Sequence, residues 1–253
     1  GVNYANDYSD GIRGTDDNRK GPARLTGGGL AKPKTVLAAA LGSFAVAGVA
    51  GLALVAVSGT WWLIAAGAAA VVAAWFYTGG KHPYAYLGIG LSELMVFVFF
   101  GLLACVGTAW TQVQVAPWWL WLCASALGLL SVALLMANNV RDIPTDIEAG
   151  KLTMAVRLGE RWSRITYIVE MALALGLGVL LLDENPWFLL IFLLVGPTIH
   201  SCVTVWTRGG RELIPVLKQA GIVALAYSVI LALAVWLGSL DIISHEVQVF
   251  TGY

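Results

Sequence analysis

Seven long apolar runs dominate the sequence and restrict the chain to folds that a lipid bilayer can accommodate. Hydrophobic residues make up 58% of the chain and charged residues only 12%, whereas soluble domains carry roughly 25% charged residues. A helix of about 20 apolar residues crosses the hydrocarbon core of a membrane, where only helices and closed barrels satisfy the backbone. We therefore predict an all-α, polytopic membrane helix bundle, a single domain over residues 1–253, with seven spans. The runs cover residues 35–57, 61–78, 91–111, 117–137, 165–182, 188–206 and 219–240.

The basic residues are distributed unevenly, and their distribution supports the count of seven spans. All 15 Lys and Arg residues fall before the first run or in every second connection after it. Lys and Arg are enriched in the cytoplasmic loops of membrane proteins. We therefore predict that the basic connections face the cytoplasm and that the C-terminus lies outside. The lipid bilayer is the expected partner, and no nucleic acid is expected. The connections without Lys or Arg are 58–60, 112–116, 183–187 and the tail 241–253.

A polar segment with the sequence NNVRDIPTDIEAGKLTMAVRLG separates the fourth and fifth runs. Asp142 and Asp146 are four residues apart, so on a helix both carboxylates project from the same face. Arg141 and Lys151 flank them. This arrangement suits Mg²⁺, which proteins commonly hold with one or two carboxylates together with substrate phosphates. The alternative is a solvated loop whose charges only fix the topology.

A second acidic segment, NYANDYSDGIRGTDD, opens the chain and precedes a glycine-rich basic loop that contains Arg24. Side chains spaced three to four residues apart can share one face of a helix. An acidic face next to a flexible basic loop suits a metal–diphosphate, and the alternative is a disordered cytoplasmic tail. The charge pattern places both acidic segments on the same side of the membrane, which favours a shared site. The residues at helical spacing are Asn3, Asn6, Asp7 and Asp10, and Asp16 follows them.

Other polar residues are open to two interpretations. Lys81 is the one basic residue of its connection and is either a topology signal or a cation for a diphosphate. Glu93 lies near the beginning of the third run, at its predicted cytoplasmic end. A charge inside a membrane span is costly and by default marks a functional site; the alternative is a structural role in which Glu93 bonds to a loop. For Glu170 and His200, which lie in later runs, we favour structural roles. The three cysteines share no short motif and are expected to be reduced core residues.

Taken together, these motifs resemble those of the UbiA-type intramembrane aromatic prenyltransferases. The resemblance covers nearly the whole chain and is strongest to the branch that prenylates 1,4-dihydroxy-2-naphthoate in menaquinone synthesis. The superfamily motifs are NDxxD with a further Asp, YxxxK and DxxxD. Their matches here are Asn6, Asp7, Asp10 and Asp16, then Tyr77 and Lys81, then Asp142 and Asp146.

The resemblance also implies an architecture that is larger than the seven runs. The family fold has about nine helices, and its first acidic motif ends the second of them. We therefore expect that one to two N-terminal helices are missing from this chain. Ser92 stands where the family pattern has Gly, which is a minor departure.

The resemblance implies the following chemistry at a bacterial plasma membrane, with the active site facing the cytoplasm. A Mg²⁺-dependent enzyme would transfer a polyprenyl group from polyprenyl diphosphate to 1,4-dihydroxy-2-naphthoate, release CO₂ and diphosphate, and form demethylmenaquinol. Another aromatic acceptor such as 4-hydroxybenzoate, or a cation transporter, are the alternatives. Expected catalytic residues are Asp7, Asp10, Tyr77, Lys81, Asp142 and Asp146; expected diphosphate-binding residues are Asn3, Arg24, Lys81, Arg141 and Lys151; and expected metal ligands are Asn6, Asp7, Asp10, Asp16, Asp142 and Asp146.

Overall fold

The computed structural model describes residues 1–16 and 23–251, with side chains up to residue 240, and every regular element in that part of the chain is helical. A π-helical segment, Phe97–Leu103, joins α4 to α5, and short 3-10 segments lie at Tyr84–Tyr86, Pro186–Leu194 and Gly210–Leu213. The α-helices are α1 (Val2–Arg13), α2 (Pro33–Ser58), α3 (Leu63–Thr78), α4 (Leu91–Val96), α5 (Ala104–Val113), α6 (Trp118–Glu148), α7 (Met154–Val179), α8 (Val195–Thr207) and α9 (Ile214–Thr251).

Six helical stretches within the described residues are long and apolar enough to cross a membrane. The prediction of an all-α, multi-pass membrane protein is therefore confirmed. The predicted span 61–78 corresponds to α3, which has 16 residues. At 1.5 Å per residue this helix is about 24 Å long, shorter than the hydrocarbon core. The six stretches are Pro33–Ser58, Leu91–Val113, Trp118–Glu148, Met154–Val179, Pro186–Thr207 and Gly210–Leu240.

The helix α6 lies at the centre of the bundle and extends further than the apolar run predicts. The run ends at residue 137, but the helix continues to Glu148 and carries the second acidic motif on its last turns. Pro144 lies inside this helix, so the helix lacks one backbone hydrogen bond there. The next helix, α7, begins at Met154 rather than at residue 165, and its first turn is set off from the rest at Gly159, where φ is 76° and ψ is 166°.

Close packing holds α6 against its neighbours. A Cβ atom on Gly101 would lie 2.5 Å from the Cα atom of Gly128, so the π-helical segment and α6 approach each other at backbone distance. Small residues allow such approaches between membrane helices. Two helices that both pack against α6 are also joined to each other: the hydroxyl of buried Tyr227 in α9 donates to the carbonyl of Ala174 in α7, at 3.0 Å. The outer face of α2, by contrast, exposes large apolar side chains such as Val49, which suits contact with lipid chains.

The connections meet in two groups at opposite ends of the bundle. At one end, Arg13 of α1 donates to the carbonyls of Thr78 and Gly80. At the same end, Gly88 (φ 62°) packs closely against the carbonyl oxygen of Leu152. A side chain at position 88 would not fit, because its Cβ atom would lie 2.5 Å from this oxygen. At the other end, the side-chain amide of Gln114 donates to the carbonyl of Ser58 at 2.7 Å. The basic connections before α2, after α3 and after α6 thus pack against each other, whereas the connections 58–60 and 112–116, which lack Lys and Arg, meet separately.

Candidate functional site

A cavity of about 1000 Å³ lies between α1, α2, α3, the segment Leu91–Val113 and α6. Its wall from α2 and α3 is mostly apolar, with residues such as Leu52, Val55 and Ile64. Most of its polar residues come from α1 and the loop after it, from the C-terminal ends of α3 and α6, and from the connection after α6. The cavity therefore has a polar end, beside the basic connections, and an apolar body along the helices.

The two acidic segments meet at this polar end. Asp10 from α1 and Asp142 from α6 both line the cavity. Tyr86, which donates to Asp10, lies with its ring centre 5.6 Å from the ammonium nitrogen of Lys151, and this nitrogen is 3.9 Å from Asp146, so the two segments are neighbours. The structure thus brings together carboxylates from opposite halves of the chain, as the sequence predicts.

Asp10 is 4% exposed and accepts a hydrogen bond at Oδ1 from the hydroxyl of Tyr86, at 2.9 Å. Burial raises the pKa of the Asp10 carboxyl above its usual value, while the nearby charge of Lys151 and the hydrogen bond from Tyr86 act in the opposite direction. Burial also raises the pKa of Tyr86, so this phenol keeps its proton and stays a donor.

Lys151 lies between the two acidic segments. Its ammonium nitrogen is 3.9 Å from Oδ1 of Asp146 and 5.6 Å from the centre of the Tyr86 ring. Asp146 is buried, and Thr153 donates to its Oδ2 at 3.4 Å. Lys151 also lines the cavity, whereas Asp146 does not. Asp146 therefore contributes to the polar end through Lys151, whose ammonium group it holds there.

Arg141 and Asp142 form an ion pair within α6. The guanidinium of Arg141 donates from Nε and Nη2 to the two carboxylate oxygens of Asp142, at 2.7 and 2.5 Å. Arg141 is only 1% exposed and is not among the residues that line the cavity. Its charge is therefore directed to Asp142. Each carboxylate oxygen retains a second lone pair for another partner.

Asp7 does not line the cavity but fixes the loop that follows α1. Its two carboxylate oxygens accept the backbone N–H groups of Leu25 and Thr26, each at 2.8 Å. Arg24, the residue before this pair, lines the cavity, and its Nε lies 4.0 Å from the carboxylate of buried Asp16. The two acids hold the basic loop so that Arg24 reaches the polar end.

The other predicted residues divide between the cavity and the surface. Tyr77, Asn3 and Asn6 line the cavity, and Asn6 accepts a hydrogen bond from the hydroxyl of Thr78 at 3.0 Å. Lys81 is exposed and does not line the cavity. Among the described residues, therefore, the predicted residues on the cavity wall are Asn3, Asn6, Asp10, Arg24, Tyr77, Asp142 and Lys151; those away from it are Asp7, Asp16, Lys81, Arg141 and Asp146.

The donor set at the polar end fits a hard divalent cation. Asp10, Asp142 and Asn6 offer oxygen atoms, which Mg²⁺ prefers. The described part of the chain contains no group of three or more His, Cys, Asp or Glu side chains placed to bind a metal on their own. A site of this kind relies on phosphate oxygens of a substrate to complete the coordination of Mg²⁺.

Sequence reasoning missed Tyr86 and Arg13. Tyr86 lies in the connection between α3 and α4, 76 residues from its partner Asp10, and no local spacing signals such a contact. In the sequence, Arg13 counts only as one of the basic residues before the first run, but its guanidinium carbon lies 5.6 Å from the centre of the Tyr86 ring. Glu93 and Glu170 are buried, and each has one carboxylate oxygen without a hydrogen-bond partner among the described residues.

Comparison with known proteins agrees with these features. The model of the UbiA prenyltransferase family matches residues 1–212. A 1,4-dihydroxy-2-naphthoate octaprenyltransferase of Mycobacterium tuberculosis is 48% identical over 242 residues, which cover 95% of this chain and 82% of the relative. Proteins of the same name from Mycobacterium leprae and Haemophilus influenzae are 44% and 34% identical, over 92% and 93% of this chain and 78% and 79% of their own lengths. No solved structure matches the chain.

The resemblance predicted from the acidic motifs is thereby confirmed, since the family match includes both motifs and the relatives cover nearly all of the chain. The helical fold with several membrane-spanning stretches is consistent with the same conclusion. The chain is an enzyme of the membrane and belongs to the UbiA prenyltransferase family.

Proposed function

We propose that the protein transfers a polyprenyl group from polyprenyl diphosphate to 1,4-dihydroxy-2-naphthoate, with loss of diphosphate and CO₂, to give demethylmenaquinol. One observation carries this proposal: a single cavity has carboxylates from both acidic segments at its polar end and an apolar body along α2 and α3. Such a cavity suits a donor with a charged head and a long hydrocarbon tail. The names of the relatives support the naphthoate acceptor.

In this proposal the polar end holds the diphosphate and Mg²⁺. Asp10, Asp142 and Asn6 would contribute oxygen ligands from the protein. When bound, Mg²⁺ acts as a Lewis acid that neutralises the charge on the departing diphosphate. Among the described residues that line the cavity, the basic ones are Arg24 and Lys151. They would donate to the phosphate oxygens and stabilise the negative charge that grows as the bond to the prenyl carbon breaks.

The apolar body would receive the prenyl tail, and aromatic side chains near the polar end would face the allylic carbon. Tyr77 and Phe99 line this part of the cavity, and aromatic ring faces attract positive charge. The naphthoate carbon that bears the carboxylate would form a bond to the first carbon of the prenyl group. At the same time, the bond between this prenyl carbon and the diphosphate oxygen would break. The bond between the ring carbon and the carboxylate carbon would then break and CO₂ would leave. The electron pair of this bond stays with the ring and restores its aromaticity.

The position of the polar end of the cavity also supports an orientation in the membrane. The polar end of the cavity lies beside the connections that carry Lys and Arg. By the preference of basic loops for the cytoplasm, we propose that diphosphate enters from the cytoplasm and that the C-terminus lies outside.

The experiment that tests the proposal uses the purified protein in liposomes with Mg²⁺, polyprenyl diphosphate and 1,4-dihydroxy-2-naphthoate labelled with ¹⁴C in its carboxyl group. We expect a prenylated naphthol on thin-layer plates and release of labelled CO₂ in equal amount, both suppressed by EDTA. A product that forms with 4-hydroxybenzoate but not with the naphthoate would contradict the proposed acceptor. Product formation that persists in EDTA would contradict the metal.

A pair of lysine variants separates the cavity wall from the surface. Lys151→Gln is expected to raise the KM for polyprenyl diphosphate about 10- to 100-fold, because a hydrogen bond to a charged group contributes about 1.5–3 kcal/mol. Lys81→Gln removes the same charge from an exposed position outside the cavity lining, so we expect a smaller effect. Steady-state kinetics with varied donor concentration measure both. A larger effect at Lys81 would assign the phosphate contact to that residue, as the YxxxK motif predicts.

A further inference from the structure

We propose that Tyr86 is a positioning residue of the metal site, whose hydroxyl fixes the carboxylate of Asp10 and whose ring fixes the ammonium group of Lys151. This inference rests on the proposed function, because it assigns to Tyr86 the alignment of the first acidic segment with the second.

A chain of hydrogen bonds ends on Asp10. The Tyr86 hydroxyl donates to Oδ1 of Asp10 at 2.9 Å and lies 3.0 Å from the hydroxyl of Thr15. Because the single proton of the phenol is given to Asp10, Thr15 must be the donor in the second contact. The chain therefore runs from Thr15 through Tyr86 to one oxygen of Asp10, and hydrogen bonds in such chains strengthen each other.

The ring of Tyr86 lies next to two cations. The guanidinium carbon of Arg13 and the ammonium nitrogen of Lys151 each lie 5.6 Å from its centre. Cations within about 6 Å of an aromatic ring are attracted by its electrons. Lys151 is also the partner of Asp146 in the second acidic segment. One side chain thus contacts an acid of the first segment and the cation that pairs with an acid of the second.

The backbone around Tyr86 fixes the position of this residue. It ends the 3-10 segment Tyr84–Tyr86, whose middle residue, Ala85, is buried. Two residues later, Gly88 packs against the carbonyl of Leu152, next to Lys151. The connection that carries Tyr86 is therefore fixed against the connection that carries Lys151, so the ring and the hydroxyl have a defined position relative to both acidic segments.

From this geometry we expect that loss of the hydroxyl weakens metal binding before it affects folding. Without its donor, Oδ1 of Asp10 loses the contact that orients the carboxylate. Partners that orient a metal ligand typically contribute about 10- to 100-fold to metal affinity. The ring of Phe keeps the contact with Lys151, so Tyr86→Phe tests the hydroxyl alone and Tyr86→Leu tests hydroxyl and ring together.

The test measures binding of Mn²⁺, detected by electron paramagnetic resonance, to the full chain in detergent with inorganic diphosphate present. We expect Tyr86→Phe to raise the Kd of Mn²⁺ about 10-fold or more with an unchanged apparent Tm. Tyr86→Leu is expected to raise in addition the KM for polyprenyl diphosphate, because Lys151 loses its ring contact. The matched control is Tyr227→Phe, which removes a buried tyrosine hydroxyl that bonds to a carbonyl in the core and should leave the Kd of Mn²⁺ unchanged.

The possible outcomes separate this inference from the proposed function. An unchanged Kd in Tyr86→Phe, or an equal shift in Tyr86→Phe and Tyr227→Phe, overturns the inference and leaves the metal site standing. A wild-type protein that binds no Mn²⁺ overturns the metal site and the inference with it. If Tyr86→Phe does not fold, Thr15→Val removes only the donor behind the phenol and should raise the Kd in the same direction by a smaller factor.

Discussion

Asp10→Asn is expected to reduce prenyl transfer by at least about 100-fold, the scale on which a charge-stabilising group in an active site contributes to the rate. The Asn side chain has nearly the same shape and still accepts the hydrogen bond from Tyr86, so the variant removes the negative charge and little else. That charge lines the same cavity as Asp142, where the proposed function needs an anionic ligand for Mg²⁺. Burial already raises the pKa of Asp10, which means that folding disfavours its charged form. The variant should therefore be at least as stable as the wild type.

Product formation in liposomes and the apparent Tm in detergent measure the two effects separately. Asp183→Asn makes the same chemical change in an exposed position of a connection without Lys or Arg, and we expect wild-type activity from it. An Asp10→Asn protein that is folded and retains more than half of its activity would be incompatible with Asp10 as a metal ligand. An inactive protein with a strongly lowered Tm would instead indicate that Asp10 supports the fold.

Arg141→Met is expected to lower the free energy of unfolding by about 3–5 kcal/mol, the cost of leaving a buried charge without its partner. The guanidinium bonds both oxygens of Asp142, and Arg141 is among the largest fully buried side chains within the described residues. Its loss leaves the carboxylate of Asp142 in the bundle without that cation. The double variant Arg141→Met/Asp142→Asn removes both charges, so its cost should be clearly smaller than the sum of the two single costs.

Unfolding in a denaturing detergent, followed by tryptophan fluorescence, measures these free energies. Arg208→Met is the matched control, because Arg208 pairs with Glu212 at 3.4 Å on the surface, where both side chains are more than half exposed. Exposed pairs of this kind contribute about 0–1 kcal/mol. Equal destabilisation by the two variants would show that the pair within α6 has no special weight. Additive costs in the double variant would show that Arg141 and Asp142 do not depend on each other.

The architecture could be predicted because it follows from regularities of the whole chain. Apolar runs and alternating basic connections are spread over more than 200 residues, so local exceptions do not change the result. The boundaries were less predictable: α6 continues to Glu148 since charged residues are compatible with a helix once it has left the apolar region. The shorter α3 shows that an apolar run and a helix of spanning length are not the same thing.

The candidate site was predictable at the level of motifs and not at the level of single side chains. The segments that contain Asp10 and Asp142 meet as predicted. Within each motif, however, neighbouring charges do different things. Asp7 is turned to the backbone of a loop, whereas Arg141 is turned to its own neighbour in the sequence. These directions depend on contacts made after the helices pack, which spacing along the chain does not encode.

The division of the polar end between α1 and α6 has a consequence for the chain during its synthesis. The cavity wall that carries Asp142 does not exist until α6 has left the ribosome and entered the bundle, long after Asp10 has been made. Under the proposed function, a polypeptide that ends before α6 therefore lacks one of the two cavity-lining carboxylates proposed to bind Mg²⁺ and diphosphate, and we expect it to have no transferase activity.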